Sequence, residues 1–228
     1  MAAAGREKEY DKALYGACRK AAKNHGIRFT RFFFWGIKGE FFFSSCVLAL
    51  PGLNGATVTP LVKPLLADEI AWRVLHMESN LDERMSLHAT GAFQGPSLYP
   101  FDGGEEENEK MIRASSELDL PELAESAAGY TVSAADHFIG SVGGSVEACF
   151  QKMVERFQST EPSTNGFGLC VALIALGRVR EARAVAAPTA ARGSQRDLFT
   201  YGVGDKGDAT LIVEYCDRLL AGEGEGHE

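Results

Sequence analysis

The chain has 228 residues, of which 45% are hydrophobic and 24% are charged. These fractions are ordinary for a globular protein, and they exclude a disordered chain, a collagen-like chain and a small disulfide scaffold. The formal net charge of −8 argues against nucleic acid as a main partner, because its phosphates would meet long-range repulsion.

The charges are unevenly distributed along the chain. Residues 1–40 carry nine Lys and Arg against four Asp and Glu, whereas the rest carries 23 − 9 = 14 against 31 − 4 = 27. An acidic body of this kind either favours a basic protein partner or serves solubility. The N-terminus lacks the pattern of an export signal, and the longest apolar stretch, Leu169–Leu176, is too short to cross a bilayer. We therefore expect a cytoplasmic protein without membrane contact.

The cysteines predict neither a disulfide framework nor a zinc site. They are Cys18, Cys46, Cys149, Cys170 and Cys216. Their number is odd and no Cys-x-x-Cys pair occurs, so we expect buried free thiols in a reducing compartment and no cofactor.

The N-terminal part predicts a helix followed by two aromatic strands. Apolar residues recur at helical spacing over residues 5–24, and His25-Gly26 ends the pattern. The segments Ile27–Trp35 and Glu40–Leu50 are typical of strands, and the glycines of Gly36–Gly39 favour a hairpin between them.

Both parities of these predicted strands are apolar, which indicates a sheet covered on two faces. Phe32 and Phe34 alternate with Phe33 and Trp35, whereas a sheet with one wet face would alternate apolar and polar residues. The cover comes either from helices of the same chain or from a partner protein. We predict Phe32, Phe34 and Trp35 as partner-binding residues in the second case.

Residues 51–93 are less regular. Thr57–Thr59 has the composition of a short strand, and Leu65–Met77 has the apolar spacing of a helix. Residues 81–93 fit a strand as well as a short helix followed by a strand.

The segment 95–118 is predicted as a linker, because it combines prolines and paired glycines with an acidic run. The run consists of Glu105, Glu106 and Glu107. Such a cluster would steer a basic partner towards the protein, mainly by raising the association rate.

The remaining chain predicts helices only. Asp119 starts one helix that Gly129 ends, and Ser133 starts the next. Further helices are predicted around 146–157, in a hairpin at 167–187, and over 208–220. The sequence thus predicts an α+β fold with an N-terminal helix and antiparallel sheet at 1–94, a linker at 95–118, a helical subdomain at 119–221 and a disordered acidic tail at 222–228.

One group of residues could support a different chemistry. His76, Glu78, Asp82 and His88 carry imidazole and carboxylate groups within a short segment, so they could hold a divalent metal for a small metal-dependent hydrolase. The spacing matches no established ligand pattern, and a polar helix end explains the same residues.

Two segments resemble known families. Asn24–Phe29, Ala71–Val74 and Asp82–Arg84 follow one another as in small bacterial α+β proteins of the toxin-immunity type, over residues 5–93. The small residues of 167–187 resemble a single tetratricopeptide hairpin, without a second copy at the repeat period.

The first resemblance implies a non-enzymatic bacterial protein that binds a partner through a sheet face or an acidic edge, and it carries over no catalytic residue. A metal-dependent hydrolase and a helical scaffold module remain alternatives, and the sequence leaves a homodimer open.

Overall fold

The computed structural model describes residues 2–81, 95–102, 104–114, 119–159, 162–192, 202–203 and 206–222. Within these residues the chain forms an N-terminal helix, a five-stranded antiparallel sheet and a mainly helical C-terminal half, which confirms the predicted α+β class. The described helices include none that is long and apolar enough to span a membrane.

The chain divides into two compact units, and each unit contains two stretches of sequence. The first comprises residues 1–62 and 98–144, and the second comprises residues 63–97 and 145–228. The segment 95–118, predicted as a linker, therefore contributes to both units, and the helix that follows it belongs with the sheet.

The first unit contains the sheet and the helices that pack on it. Its elements are α1 (Ala2–Asn24), β1 (Arg28–Thr30), β2 (Phe33–Lys38), β3 (Phe41–Leu50), most of β4 (Gly55–Pro64), α3 (Glu105–Asn108), β5 (Lys110–Arg113) and α4 (Leu120–Ser141). A 3₁₀ turn, Pro51–Leu53, connects β3 to β4. The strands lie in the order β1-β2-β3-β4-β5, so neighbours in sequence are neighbours in the sheet.

The predicted strands are present with shifted ends. The first is divided by a turn at Arg31, whose φ of 58° is left-handed, and the chain re-enters the sheet at Phe33. The hairpin turn lies at Gly39, with φ 58°, which is the last residue of the predicted connection Gly36–Gly39. Gly36 instead pairs with Phe43, where a Cβ would lie 2.6 Å from the Phe43 ring. Its role is to make room for that ring.

Helices α1 and α4 cover one face of the sheet, which we call the inner face. Leu14 and Cys18 of α1 and Ala124 and Ala127 of α4 are completely buried, together with Phe34 of β2. Helix α4 runs through Gly129, which was predicted to end it. A Cβ there would lie 3.4 Å from the His25 ring, so this glycine permits close approach of the two helices.

The second unit is built mainly from helices. Its elements are α2 (Leu65–Val74), a 3₁₀ turn at Glu78–Asn80, α5 (Val146–Ser159), α6 (Pro162–Ala175), α7 (Val179–Arg192), the short strands β6 (Gly202–Val203) and β7 (Lys206–Gly207), and α8 (Asp208–Leu220). The helix predicted over Leu65–Met77 ends at Val74. The predicted hairpin at 167–187 corresponds to α6 and α7, and the acidic tail lies almost entirely outside the described residues.

Small residues bring the helices of this unit close together. A Cβ at Gly168 in α6 would lie 2.7 Å from the Phe157 ring of α5. Ala182 and Ala186 of α7 are completely buried, and the Cys170 thiol donates to the Ala182 carbonyl at 3.5 Å. Close backbone approach of this kind requires small side chains at the contact.

Candidate functional site

The acidic run that the sequence predicts as a steering cluster forms the single helical turn α3. Its carboxylates, Glu105, Glu106 and Glu107, are exposed. The Gly104 N–H donates to the Glu107 carboxylate at 2.8 Å, so one of these side chains stabilises the start of the turn. We call Glu105–Asn108 the acidic turn.

Asn108 fixes the acidic turn to the rest of the first unit. It is completely buried, and its amide oxygen accepts from the Phe101 N–H at 2.9 Å. Its amide nitrogen donates to the carbonyls of Phe101 and Gly104 at 3.3 and 2.8 Å. The Tyr130 hydroxyl of α4 donates to the Asn108 carbonyl at 3.0 Å. The segment that carries the three exposed carboxylates is thus hydrogen-bonded to its surroundings through Asn108.

The acidic turn adjoins the face of the sheet opposite to α1 and α4, which we call the outer face. Burial, together with the smaller effect of the Glu105 and Glu109 carboxylates, raises the pKa of the Cys46 thiol to about 11. Burial likewise raises the pKa of Tyr99, and its charge interaction and hydrogen bond with Glu105 add to the increase. Both neighbours of the turn therefore stay neutral near pH 7, and Cys46 is a poor nucleophile.

Two apolar side chains near the end of the outer face are exposed. Leu48 follows Cys46 on the same face of β3, and Met111 of β5 shares that face with Thr57. Their exposed fractions are 49% and 46%. We call Cys46, Leu48 and Met111 the outer patch; it combines apolar surface with the carboxylates of the adjoining turn.

The other end of the outer face is buried. Trp35 stacks on Phe42 with ring centroids 6.1 Å apart, and both residues are almost completely buried. The Trp35 indole N–H donates to the Thr30 hydroxyl at 3.2 Å, and the Arg28 guanidinium lies 4.9 Å from the ring centroid. The cover predicted for both faces is therefore present over Trp35 and Phe42, and it is incomplete over the outer patch.

The aromatic residues predicted to bind a partner occupy three different environments. Phe32 is 37% exposed, beside Phe33 at a centroid distance of 4.5 Å. Phe34 has no exposed surface and belongs to the inner core, so it packs against α1 and α4 instead of meeting a partner. Trp35 is 4% exposed. Of these three rings, only that of Phe32 offers surface to a second molecule.

The segment predicted as a metal site is described in part. His76 Nδ1 lies 4.0 Å from a Glu78 carboxylate oxygen, and both side chains are about half exposed. Asp82 and His88 lie outside the described residues. Among the residues described, no three His, Cys, Asp or Glu side chains form a group that could hold a metal. The hydrolase alternative stays a prediction.

A buried ion pair in the second unit was not predicted. Lys63 at the end of β4 pairs with Asp68 in the first turn of α2, and both side chains are buried. Burial lowers the pKa of Lys63, and the Asp68 carboxylate opposes that shift. A Cβ at Gly95 would collide with both charged groups. The only hint in the sequence is a lysine within the apolar run Val58–Leu66.

The cysteines are free, as predicted, and four of them are buried. Desolvation raises the pKa of Cys18 and Cys149 to about 12 and that of Cys216 to about 11, and it raises the pKa of Cys170 still further. None of these thiols has the low pKa of a catalytic cysteine.

Comparisons with protein-family models, with curated proteins and with solved structures gave no match.

Proposed function

We propose that this chain is a non-enzymatic protein-binding protein that docks a basic partner on the acidic turn and the outer patch. The observation that carries the proposal is the anchoring of the acidic turn, with its three exposed carboxylates, by the buried Asn108, in a unit whose sheet also exposes Leu48 and Met111 on its outer face. The Asn108 side chain bonds the backbone of Phe101 and Gly104, so the backbone that carries the carboxylates is anchored before any partner arrives.

The charged and the apolar residues of such a docking site affect different rates of binding. Exposed carboxylates speed association and set the preference for a basic partner, whereas buried apolar contacts slow dissociation. A preformed acidic turn also avoids the entropic cost of ordering a loop on binding.

The partner class is part of the same proposal. The resemblance of residues 5–93 to bacterial immunity-type proteins supports a toxin-like protein with a basic surface as the first class to test. The fold class and the acidic turn are compatible with that role.

The test compares what three forms of the chain retain from the native lysate. The forms are the wild type, a triple variant E105Q/E106Q/E107Q, and a control E9Q/E69Q/E155Q that changes the net charge equally at exposed positions elsewhere. We expect a basic protein to be retained at low salt by the wild type and the control, and to be lost with the triple variant.

Leu48→Ser should shorten the lifetime of the same complex with little effect on its association rate. Equal retention by the triple variant and the control would contradict the steering role. Retention of no basic protein by the wild type would contradict the proposal as a whole.

A further inference from the structure

Strand β5 lies at the edge of the described sheet, and every second residue of it directs its backbone N–H and C=O groups away from β4. In the described residues it pairs only with β4, with Thr57 opposite Met111 and Gly55 opposite Arg113. The Ala114 N–H donates to the Asn54 carbonyl at 2.7 Å. Because hydrogen-bonded pairs alternate along an antiparallel ladder, the N–H and C=O groups of Met111 and Arg113 face the open edge.

The side chains that accompany these backbone groups lie on the outer face. Lys110 and Ile112 face inward, since the Lys110 ammonium lies 4.7 Å from the Tyr130 ring centroid and Ile112 packs on the inner core. Met111 and Arg113 therefore face outward, and the Arg113 Nε donates to the Met111 sulfur at 3.3 Å. Glu109 precedes the strand with extended backbone angles and continues the alternation. It is exposed, as are Met111 and Arg113.

The order Glu109, Met111, Arg113 is complementary to itself when read in the opposite direction. We infer that a second copy of this chain pairs with β5 edge to edge, antiparallel, about a two-fold axis at Met111. Each Glu109 then faces the Arg113 of the other copy, and Met111 faces Met111. Opposite charges directly across a strand pair stabilise it, and like charges destabilise it.

The alternative registers are less favourable. An axis at Glu109 would place the two Glu109 carboxylates opposite each other, and an axis at Arg113 would do the same for the two guanidinium groups. Both arrangements put like charges face to face. Among axes at the outward-facing positions 109, 111 and 113, Met111 is the one that pairs opposite charges.

The backbone supports the same register. In each copy the Met111 N–H would donate to the Met111 carbonyl of the other copy, and the Arg113 N–H would donate to the Glu109 carbonyl of the other copy. Two such bonds from each copy give 2 × 2 = 4 hydrogen bonds. The Glu109 N–H takes no part, because it already donates to the Glu105 carbonyl at 2.7 Å. The two outer patches would then adjoin, with an acidic turn at each end of the β5 pair.

Sedimentation of the full chain over a concentration series tests this inference. A monomer has a mass of 24.6 kDa, so we expect a species of 2 × 24.6 = 49.2 kDa that dissociates on dilution and at high salt. Glu109→Arg or Arg113→Glu alone should weaken the dimer about tenfold or more, because each creates two like-charge pairs. The double variant E109R/R113E should restore it, since the opposite charges are re-established in exchanged positions.

Two further variants keep the result independent of folding and of net charge. Met111→Pro removes an N–H that β4 does not use, and it should also weaken the dimer while the circular dichroism spectrum is retained. Glu155→Arg on α5 changes the charge equally elsewhere and should have no effect. A strictly monomeric wild type, or a double variant that fails to dimerise while folded, would overturn the inference. Retention of a basic partner depends on Glu105–Glu107, so the two proposals fail separately.

Discussion

The Lys63 ammonium group forms an ion pair with the Asp68 carboxylate inside the second unit, where only 1% and 4% of the two side chains are exposed. Gly95 lies against both groups, with no room for a side chain. Two charges taken out of water in this way depend on each other, because neither has the solvent to replace its partner.

Removal of one member of this pair should be far more damaging than removal of both. We expect Asp68→Ala to lower the free energy of unfolding by about 3–5 kcal/mol, because it leaves a buried ammonium without its carboxylate. The double variant K63M/D68L should recover most of that loss. Urea unfolding of the three variants measures the difference, and a double variant as unstable as D68A would contradict the expectation.

A methyl group at Gly95 should act on the same pair. Gly95→Ala places a Cβ against Lys63 and Asp68, so we expect a loss of stability of about 1–3 kcal/mol. Gly140 in α4 is the matched control, because a Cβ there meets open space. Gly140→Ala should leave stability unchanged or raise it by up to about 1 kcal/mol. Thermal unfolding of both variants makes the comparison, and equal destabilisation would argue against the collision.

The acidic turn should lose its order when Asn108 is shortened. Asn108→Ala removes the three hydrogen bonds that this buried side chain makes to the backbone of Phe101 and Gly104, which costs about 1–3 kcal/mol. Tyr130→Phe removes a single hydrogen bond to the same segment and should cost about 1 kcal/mol. Hydrogen exchange over residues 101–109 should accelerate more in N108A than in Y130F. Unchanged protection in N108A would refute the anchoring role.

Tyr99 should titrate above its ordinary pKa of 10.0 and should respond to Glu105. Its pKa is higher in the folded state than in the unfolded state. The contribution of Tyr99 to the free energy of unfolding is therefore fully present below about pH 10, and it is lost as the pH rises through the folded-state pKa. Glu105→Gln should lower the pKa of Tyr99, because the neighbouring negative charge is removed. Tyrosinate absorbance, with Tyr99→Phe to identify the contribution of Tyr99, follows the titration. An unshifted titration in E105Q would exclude the coupling.

Cys46 is partly exposed, and it should nevertheless react slowly with thiol reagents. With a pKa of about 11, it is about 0.1% thiolate at pH 8. The variant E105Q/E109Q should lower that pKa and speed the reaction, whereas E147Q/E155Q on α5 should leave the rate unchanged. Alkylation kinetics followed by peptide mass spectrometry distinguish Cys46 from the buried cysteines. A fast reaction in the wild type would contradict the raised pKa.

The types of most elements were predictable because apolar periodicity is a local property. The helical stripes of α1, α5 and α8 and the strand character of β3 follow from spacing alone. Strand β5 was missed since Lys110–Arg113 is short and mostly exposed, and its partner Gly55–Val58 is far away in sequence. The division of the first predicted strand at Arg31 depends on one backbone angle that no local pattern indicated.

Of the candidate site, the sequence predicted only the cluster of acidic residues. The run Glu105–Glu107 was evident, whereas its support by Asn108 needed contacts with Phe101 and Tyr130. In the aromatic strands, Phe32 and Phe34 were equivalent candidates because they share one parity. Phe34 lies within β2 and belongs to the inner core, whereas Phe32 precedes β2 next to the left-handed turn at Arg31 and is 37% exposed.

By itself the sequence determined the α+β class, the acidic character of the chain and the positions of most helices, because composition and short-range periodicity suffice for these properties. The tertiary structure decided which aromatic rings are buried, that a linker-like segment supplies the edge strand, and that Lys63 meets Asp68 within the core. These outcomes depend on strand register, on pairing between distant segments and on the exclusion of water, and none of the three is encoded in a local pattern.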